Sequence, residues 1–464
     1  MMPQATVEQQ RIHRLNEAAP NSKGNYVLYW MQQAQRVHLN HALHLAVSQA
    51  NNRMLPVLVV FGLSPDYPEA NWRHFAFMLE GLAEVERSLS DMGIDMQVRI
   101  GSPPEVALAA AENAALAVCD RGYLRHQRQW RQQVAQKAAC PVIEVESDAI
   151  IPVAAASDKA EFAARTIRGK IQRQLPALLN PLPVITPRQR AHGLYDRPDF
   201  SVIADQLKVD RTIHAVAPLL TGGYSQVRRQ LDHFIQGHLS SYTERRSKLD
   251  SCASSHISPY LHFGQISPLE VAIAIQKADA PIEAREAFLE ELIVRRELAI
   301  NHVWFNPLYD QYKGLPAWAR RTLAAHRSDP RQPSYSYREL SEARTHDSFW
   351  NAAMREMRET GFMPNYMRMY WGKKILQWQS TPWHAFASAL RLNNTYFVDG
   401  RDPNSYAGVG WIFGLHDRPW QERPVYGQIR YMARAGLKRK FNMQAYLEAV
   451  EQRISTIRND EPTI

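Results

Sequence analysis

A chain of 464 residues, 45 % hydrophobic and 22 % charged, is long enough for two hydrophobic cores and has the make-up of an ordinary soluble protein. Its longest apolar run, Met54–Leu63, is too short to span a bilayer, its amino terminus is polar rather than signal-like, and Cys119, Cys140 and Cys252 form no CxxC pair. A membrane-spanning, disulfide-stapled or zinc-ribbon protein is therefore excluded, a cytoplasmic monomer with no metal is expected, and the net charge of +9 favours a polyanionic partner.

Residues 1–20 read as a polar extension, and 21–150 as an α/β domain. Tyr26–Trp30 is a β-rich apolar run, followed by a helix carrying Leu39, Leu43 and Val47 on one face. Leu55–Phe61 predicts a second strand, and Phe75, Met78, Leu79, Leu82 and Val85 mark a long amphipathic helix. Ile94–Ile100 is a third strand, closed by Gly101-Ser102-Pro103, where Pro103 suits a helix start. Leu116–Cys119 and Val142–Val145 add two strands, with a helix over Gln127–Ala138 between them. Strands separated by helices of this length imply a Rossmann-like parallel sheet covered on both faces. No GxGxxG or Walker sequence is present. Residues 151–224, rich in proline, read as a connector with short helices. Residues 225–464 read as an all-α domain that includes helices over Ala284–Val303 and Tyr366–Gln379.

Within the second half, Ser255-His256-Ile257-Ser258-Pro259 places two hydroxyls before a proline, which suits a helix start or a phosphate contact. SPYLHFGQIS, FLEELIVRREL, THDSFW, YMRMYWGKKILQW, DGRDPNSYAG and HDRPW…IRYM follow in this order. These segments resemble the signatures of class II cyclobutane pyrimidine dimer photolyases, in the photolyase/cryptochrome family. The resemblance implies an α/β antenna domain, a helical domain binding a U-shaped FAD, and dimer splitting by an electron from photoexcited, fully reduced flavin. An antenna pigment, a deazaflavin or a folate, is left open. The partner it implies is double-stranded DNA containing a pyrimidine dimer.

Trp371 and Trp378, seven residues apart, share a helical face about 10 Å apart along the axis. Tryptophans at this spacing are most often core residues. The resemblance assigns them, with Trp350, to a hopping chain: Trp371 nearest the flavin, Trp350 intermediate, Trp378 outermost. Glu291 has Arg295 at i,i+4, an ordinary salt-bridge spacing. By resemblance it contacts the dimer carbonyls, and a carboxyl kept protonated by burial could donate that hydrogen bond. Arg368 and Asp399 match a pair on the redox side of the isoalloxazine, and Asn393 matches an asparagine facing flavin N5. Asn365 stands where the family has glycine and is expected to add a second amide there. Tyr242, Ser255, His256 and Ser258 match positions around the cofactor phosphates, and Asp402 lies in the same cofactor loop as Asn404.

Between Trp411 and Asn442 seven Lys/Arg face two acidic residues, with aromatics interleaved, a composition suited to phosphate contacts plus base stacking. A dimer must leave the duplex to reach a buried flavin. The resemblance places Trp411 on the flipped dimer, Arg418 and Arg430 at the DNA opening, and Arg246 beside the lesion. Two rival readings within the family stay open, a cryptochrome-like photoreceptor and repair of the (6-4) photoproduct.

Overall fold

The computed structural model describes residues 7–191, 193, 195–249 and 254–459. Cys119 and Cys140 are buried free thiols; Cys252 lies outside the described residues.

Six strands form one sheet in the order β1-β6-β5-β2-β3-β4: β1 Ile12–Arg14, β2 Tyr26–Trp30, β3 Val57–Leu63, β4 Asp95–Ile100, β5 Ala114–Asp120 and β6 Val142–Val145. β2 through β6 run parallel, and every residue of β2, β3 and β5 is buried, as expected of strands covered on both faces. β3 begins at Val57 rather than Leu55 because Pro56 has no N–H to give the ladder; its carbonyl instead accepts from Val27 at 2.9 Å. β1, within the stretch read as an extension, pairs antiparallel with β6 and forms one edge. Buried Arg11 holds it there, donating to the carbonyls of Ala149 at 2.8 Å and Ile150 at 2.6 Å.

The chain order reverses between β2 and β5, which opens a crevice at the carboxyl ends of the strands. Asp120, the last residue of β5, closes the turn after β2: one carboxylate oxygen accepts from the N–H groups of Gln32, Gln33 and Ala34 at 2.8–3.0 Å.

Beyond residue 220 the described chain is helical. One apolar core joins one face of the sheet, at Val59, and the helix Trp72–Asp91 beside it, at Leu79 and Leu82, to Val227, Phe234, Ile266, Leu269 and Ile293 of the second half. A second core, mostly helical, surrounds Trp350, Trp371 and Trp378.

The helix expected over Ala284–Val303 is present but interrupted. A π-helical turn, Glu290–Arg295, joins Ile282–Leu289 to Arg296–Phe305. The extra residue in this turn lets two needs be met together. Leu292, Ile293 and Val294 face the core, while Arg296 and Glu297 reach the front half. Glu297 accepts from the N–H groups of Ile150 at 2.8 Å and Ile151 at 3.0 Å. Such turns recur at functional sites.

Candidate active site

Five chain segments converge on one cleft of about 560 Å³, within the roughly 300–1,000 Å³ typical of a ligand pocket. They are the stretch from Tyr242 to Leu249, the serine cluster from Ser254 to Leu261, the π turn, and the paired segments Phe362–Arg368 and Asp399–Ser405. Ten residues singled out in the sequence line it: Tyr242, Arg246, Ser255, His256, Ser258, Glu291, Asn365, Arg368, Asp399 and Asp402.

Local chemistry sets each in place. Pro364 starts the helix Asn365–Trp378, putting Asn365 at its first position and Arg368 one turn later. Arg368 lies over the Phe397 ring at 3.8 Å, with Asp399 at 3.9 Å. Burial pushes its guanidinium below the usual range and Asp399 partly offsets this. Asp402 caps the helix Pro403–Ile412, accepting from the Asn404 N–H at 2.8 Å, and its second oxygen lies 3.3 Å from His262 Nδ1. Burial acts to raise the Asp402 carboxyl, but His262, Arg296 and the Asn404 N–H together outweigh it and hold the group below its ordinary value. His256 adopts a left-handed backbone (φ 51°) and sets its ring 4.6 Å from that of Phe362. Burial, with Arg453 nearby, pushes its imidazole down to about 4, so it is neutral near pH 7.

The expectation of a buried Glu291 is not met. Its side chain is 45 % exposed, and its carboxylate accepts from Arg246 Nη1 at 2.9 Å. The π turn is the reason. Five-residue spacing brings Arg295 over Glu290, at 3.4 Å, and Arg168 grips Glu290 at 2.7 and 3.0 Å. Glu290 thus takes the ion pairs expected of Glu291, which is left to face the cleft.

Asn393, Trp371, Trp350 and Trp378 do not line the cleft. Asn393 is buried, and its side-chain amide donates to Asn394 Oδ1 at 3.1 Å. Trp371 sits one turn beyond Arg368 in the helical core, its indole N–H donating to Met354 Sδ at 3.4 Å. Trp350 donates to the Trp371 carbonyl at 2.9 Å, and its ring lies 5.6 Å from that of Trp378. Trp350 thus touches both Trp371 and Trp378. Trp378, however, is not at the surface: it is 2 % exposed, and half-buried Tyr335 (5.4 Å) and exposed His346 (5.3 Å) cover its ring.

Trp411, Arg418 and Arg430 form a separate rim. Arg430 lies 5.8 Å from the Trp411 ring and 4.8 Å from that of Trp420, and Arg418 lies 5.2 Å from Trp420. Cations stacked on a half-buried indole, Trp411, and an exposed one, Trp420, suit a nucleic-acid surface.

Sequence reasoning missed Arg245, Lys248, Arg296, Phe362 and Arg453, which also line the cleft. Arg453 comes from the terminal helix Met443–Asn459. It reaches Glu356 at 2.6 Å, and its buried Nε has no hydrogen-bond partner among the described residues. No signal marked it, since it sits in a polar helix of unremarkable pattern.

A second, much narrower crevice opens at the ends of β2 and β3, lined by Gln32, Phe61, Tyr67, Trp130, His262 and Arg401. Arg401 is buried, and its Nε also lacks a partner. Among the described residues no cluster of His, Cys, Asp and Glu could hold a metal, and no helix is long and apolar enough to cross a membrane.

The chain resembles known proteins along nearly its whole length. A family profile described as DNA photolyase matches residues 27–188. The chain is 45 % identical over 445 residues to a deoxyribodipyrimidine photo-lyase of Methanothermobacter thermautotrophicus, covering 96 % of this chain and 98 % of the relative. It is 38 % identical to a photo-lyase of the same name from Arabidopsis thaliana, covering 92 % and 89 %. Among solved structures, a class III photolyase from Agrobacterium tumefaciens superposes with a TM-score of 0.70 at 17 % identity, covering 95 % and 99 %. An archaeal photolyase from Sulfolobus tokodaii, solved with two FAD molecules, gives 0.69 at 16 % identity, covering 94 % and 91 %.

Proposed function

The chain belongs to the deoxyribodipyrimidine photo-lyase family, and from that membership we propose that it repairs cyclobutane pyrimidine dimers in DNA under light, using FAD held in the large cleft. The observation that carries this reading is the convergence of ten residues singled out in the sequence, from five separate segments, on one cleft with Glu291 and Arg246 facing into it.

The residues present fit FAD. The Ser255 and Ser258 hydroxyls, with Arg245, Lys248 and the unpartnered Arg453 Nε, offer the donors a pyrophosphate needs. His256 and Phe362 supply an aromatic wall, and Arg368 a cation to lie against an anionic ring. When bound in its fully reduced state, FAD supplies on photoexcitation the single electron that opens the cyclobutane ring. The chain's own residues do the rest. Trp411 stacks on the flipped dimer, while Arg418 and Arg430 hold phosphates at the opening. Glu291 and Arg246 orient the pyrimidine carbonyls and steady the negative charge that develops there. Trp378, Trp350 and Trp371 give an electron from the flank of the helical domain a path of short steps toward the cleft. Asn393 acts from behind the cleft through Asn394 rather than as a lining group.

We also assign an antenna pigment to the crevice at the ends of β2 and β3, where the unpartnered Arg401 Nε offers a donor to a carbonyl or anionic group. Reconstitution with a deazaflavin and, separately, with a folate distinguishes the two pigments; Arg401→Ala should lose whichever one is retained.

The function is tested by the visible spectrum of the purified chain. A flavin band, lost on chemical reduction and carried by material that identifies as FAD after release, supports the reading. A colourless protein that takes up no added FAD removes it.

A further inference from the structure

Lys373 has no part in the chemistry described so far. It lies two residues beyond Trp371 on the helix Asn365–Trp378, is fully buried, and donates from its ammonium to the backbone carbonyl of Ile412, the last residue of the helix that carries Trp411. Its Nζ is 5.7 Å from the centre of the Trp411 ring. Cations and indoles thus alternate outward from the interior to the rim: Lys373, Trp411, Arg430, Trp420, Arg418. A buried ammonium with a carbonyl for a partner is costly, and an apolar side chain of similar length would suit the core better. The charge is therefore informative about the ring it touches.

The geometry points to Lys373 as a positioning residue for dimer recognition, tying the end of the Trp411 helix to the helix of Trp371 and fixing the indole on which the flipped pyrimidines stack. This rests on the reading of Trp411 as the lesion-stacking residue. Two charged groups act on the ammonium, and a third group holds the backbone of Lys373. Asp417, in the segment after the Trp411 helix, draws the proton on; Arg430 repels it; and the Tyr426 hydroxyl donates at 2.8 Å to the Lys373 backbone carbonyl. Its neighbour Lys374 turns away, toward Tyr370 and Trp378. Burial, reinforced by Arg430 and opposed by Asp417, brings the Lys373 ammonium down to about 7. Its charge, and with it the attraction to Trp411, then fades as pH rises through neutrality.

The test is dark binding of an oligonucleotide carrying one thymine dimer, expressed as affinity relative to the undamaged strand, from about pH 6 to pH 8.5. Wild-type preference should fall with rising pH, by about fivefold in all, the size of one partly buried cation–π contact. Lys373→Met should bind about fivefold less selectively at the acid end and show no pH dependence. Its FAD content and its repair per photon at saturating DNA should stay at wild-type level, a split that general damage to the fold would not give. Asp417→Asn should move the wild-type midpoint to lower pH, because Asp417 favours the charged form. Wild-type selectivity and slope in Lys373→Met would overturn the proposal, as would a loss of saturating yield in step with affinity. Should Lys373→Met fail to fold, an unmoved midpoint in Asp417→Asn overturns it instead. Trp411→Ala separates the two levels. Weakened binding there but not in Lys373→Met overturns the role of Lys373 alone, whereas wild-type binding in Trp411→Ala overturns the lesion-pocket reading and this proposal with it.

Discussion

Glu291 and Arg246, 45 residues apart in the chain, meet at 2.9 Å at the cleft, each with nearly half of its side chain open to solvent. The π turn withdraws the neighbouring Glu290 into pairs with Arg168 and Arg295 and leaves this one carboxylate facing the space where a dimer would enter. An acid and a base presented together offer both an acceptor and donors to the N–H and carbonyl groups of stacked pyrimidines.

Glu291→Ala should lower the number of dimers repaired per absorbed photon while FAD stays bound, since the residue faces substrate and its pair with Arg246 is too exposed to support the fold. Arg246→Ala should weaken dimer binding by roughly tenfold, the worth of one charge-assisted hydrogen bond. Unchanged repair per photon in Glu291→Ala would remove its assigned role.

Trp371→Phe should abolish light-driven reduction of oxidised flavin yet leave repair intact once the flavin is reduced chemically. Trp350→Phe should behave alike, because Trp350 bridges Trp371, through a 2.9 Å hydrogen bond, and Trp378, through a ring contact at 5.6 Å. Transient absorption after a light pulse reads both. Normal photoreduction in either variant argues against a series pathway.

Arg453→Ala should reduce FAD retention by roughly tenfold or more, as a lost charge-assisted donor to phosphate would. Equilibrium dialysis of the flavin checks this, and full retention would mean that Arg453 serves only its ion pair with Glu356.

Stability should depend on Glu297. Burial pushes its carboxyl up to about 8, against 4.5 in the ordinary state. The folded protein therefore holds a proton that the unfolded chain releases between these values, and stability falls as pH rises through that window, by about 1.4 kcal/mol per pH unit. Glu297→Gln, a neutral isostere that still accepts from Ile150 and Ile151, should lose this slope between about pH 6 and pH 8 in thermal melts. An unaltered slope would point to another group.

The sheet strands and the helix of Trp371 were legible because their burial follows simple periodicities; Val142–Val145 was read with its observed limits. β1 was not, since three residues of mixed polarity carry no alternation to detect. The π turn was invisible for a different reason. Glu290, Glu291 and Arg295 fit i,i+4 and i,i+5 partners equally well on paper, and only the anchoring of Arg296 and Glu297 to the front half decides the register. Trp378 was assigned the outermost place of the three, and spacing along a helix says nothing about what covers it, here Tyr335 and His346. Arg453 reaches the cleft from the far end of the chain, a contact that no local pattern encodes.

The central claim is that reduced FAD in the helical cleft splits dimers held against Glu291 and Trp411. The most direct measurement is to load the chain with FAD, reduce it, add DNA containing thymine dimers, and count restored thymines after illumination and after an equal time in the dark. Repair in the light alone, lost without FAD, is the predicted result. A flavin-loaded, fully reduced protein that binds the damaged DNA but restores no thymine under light would contradict the account.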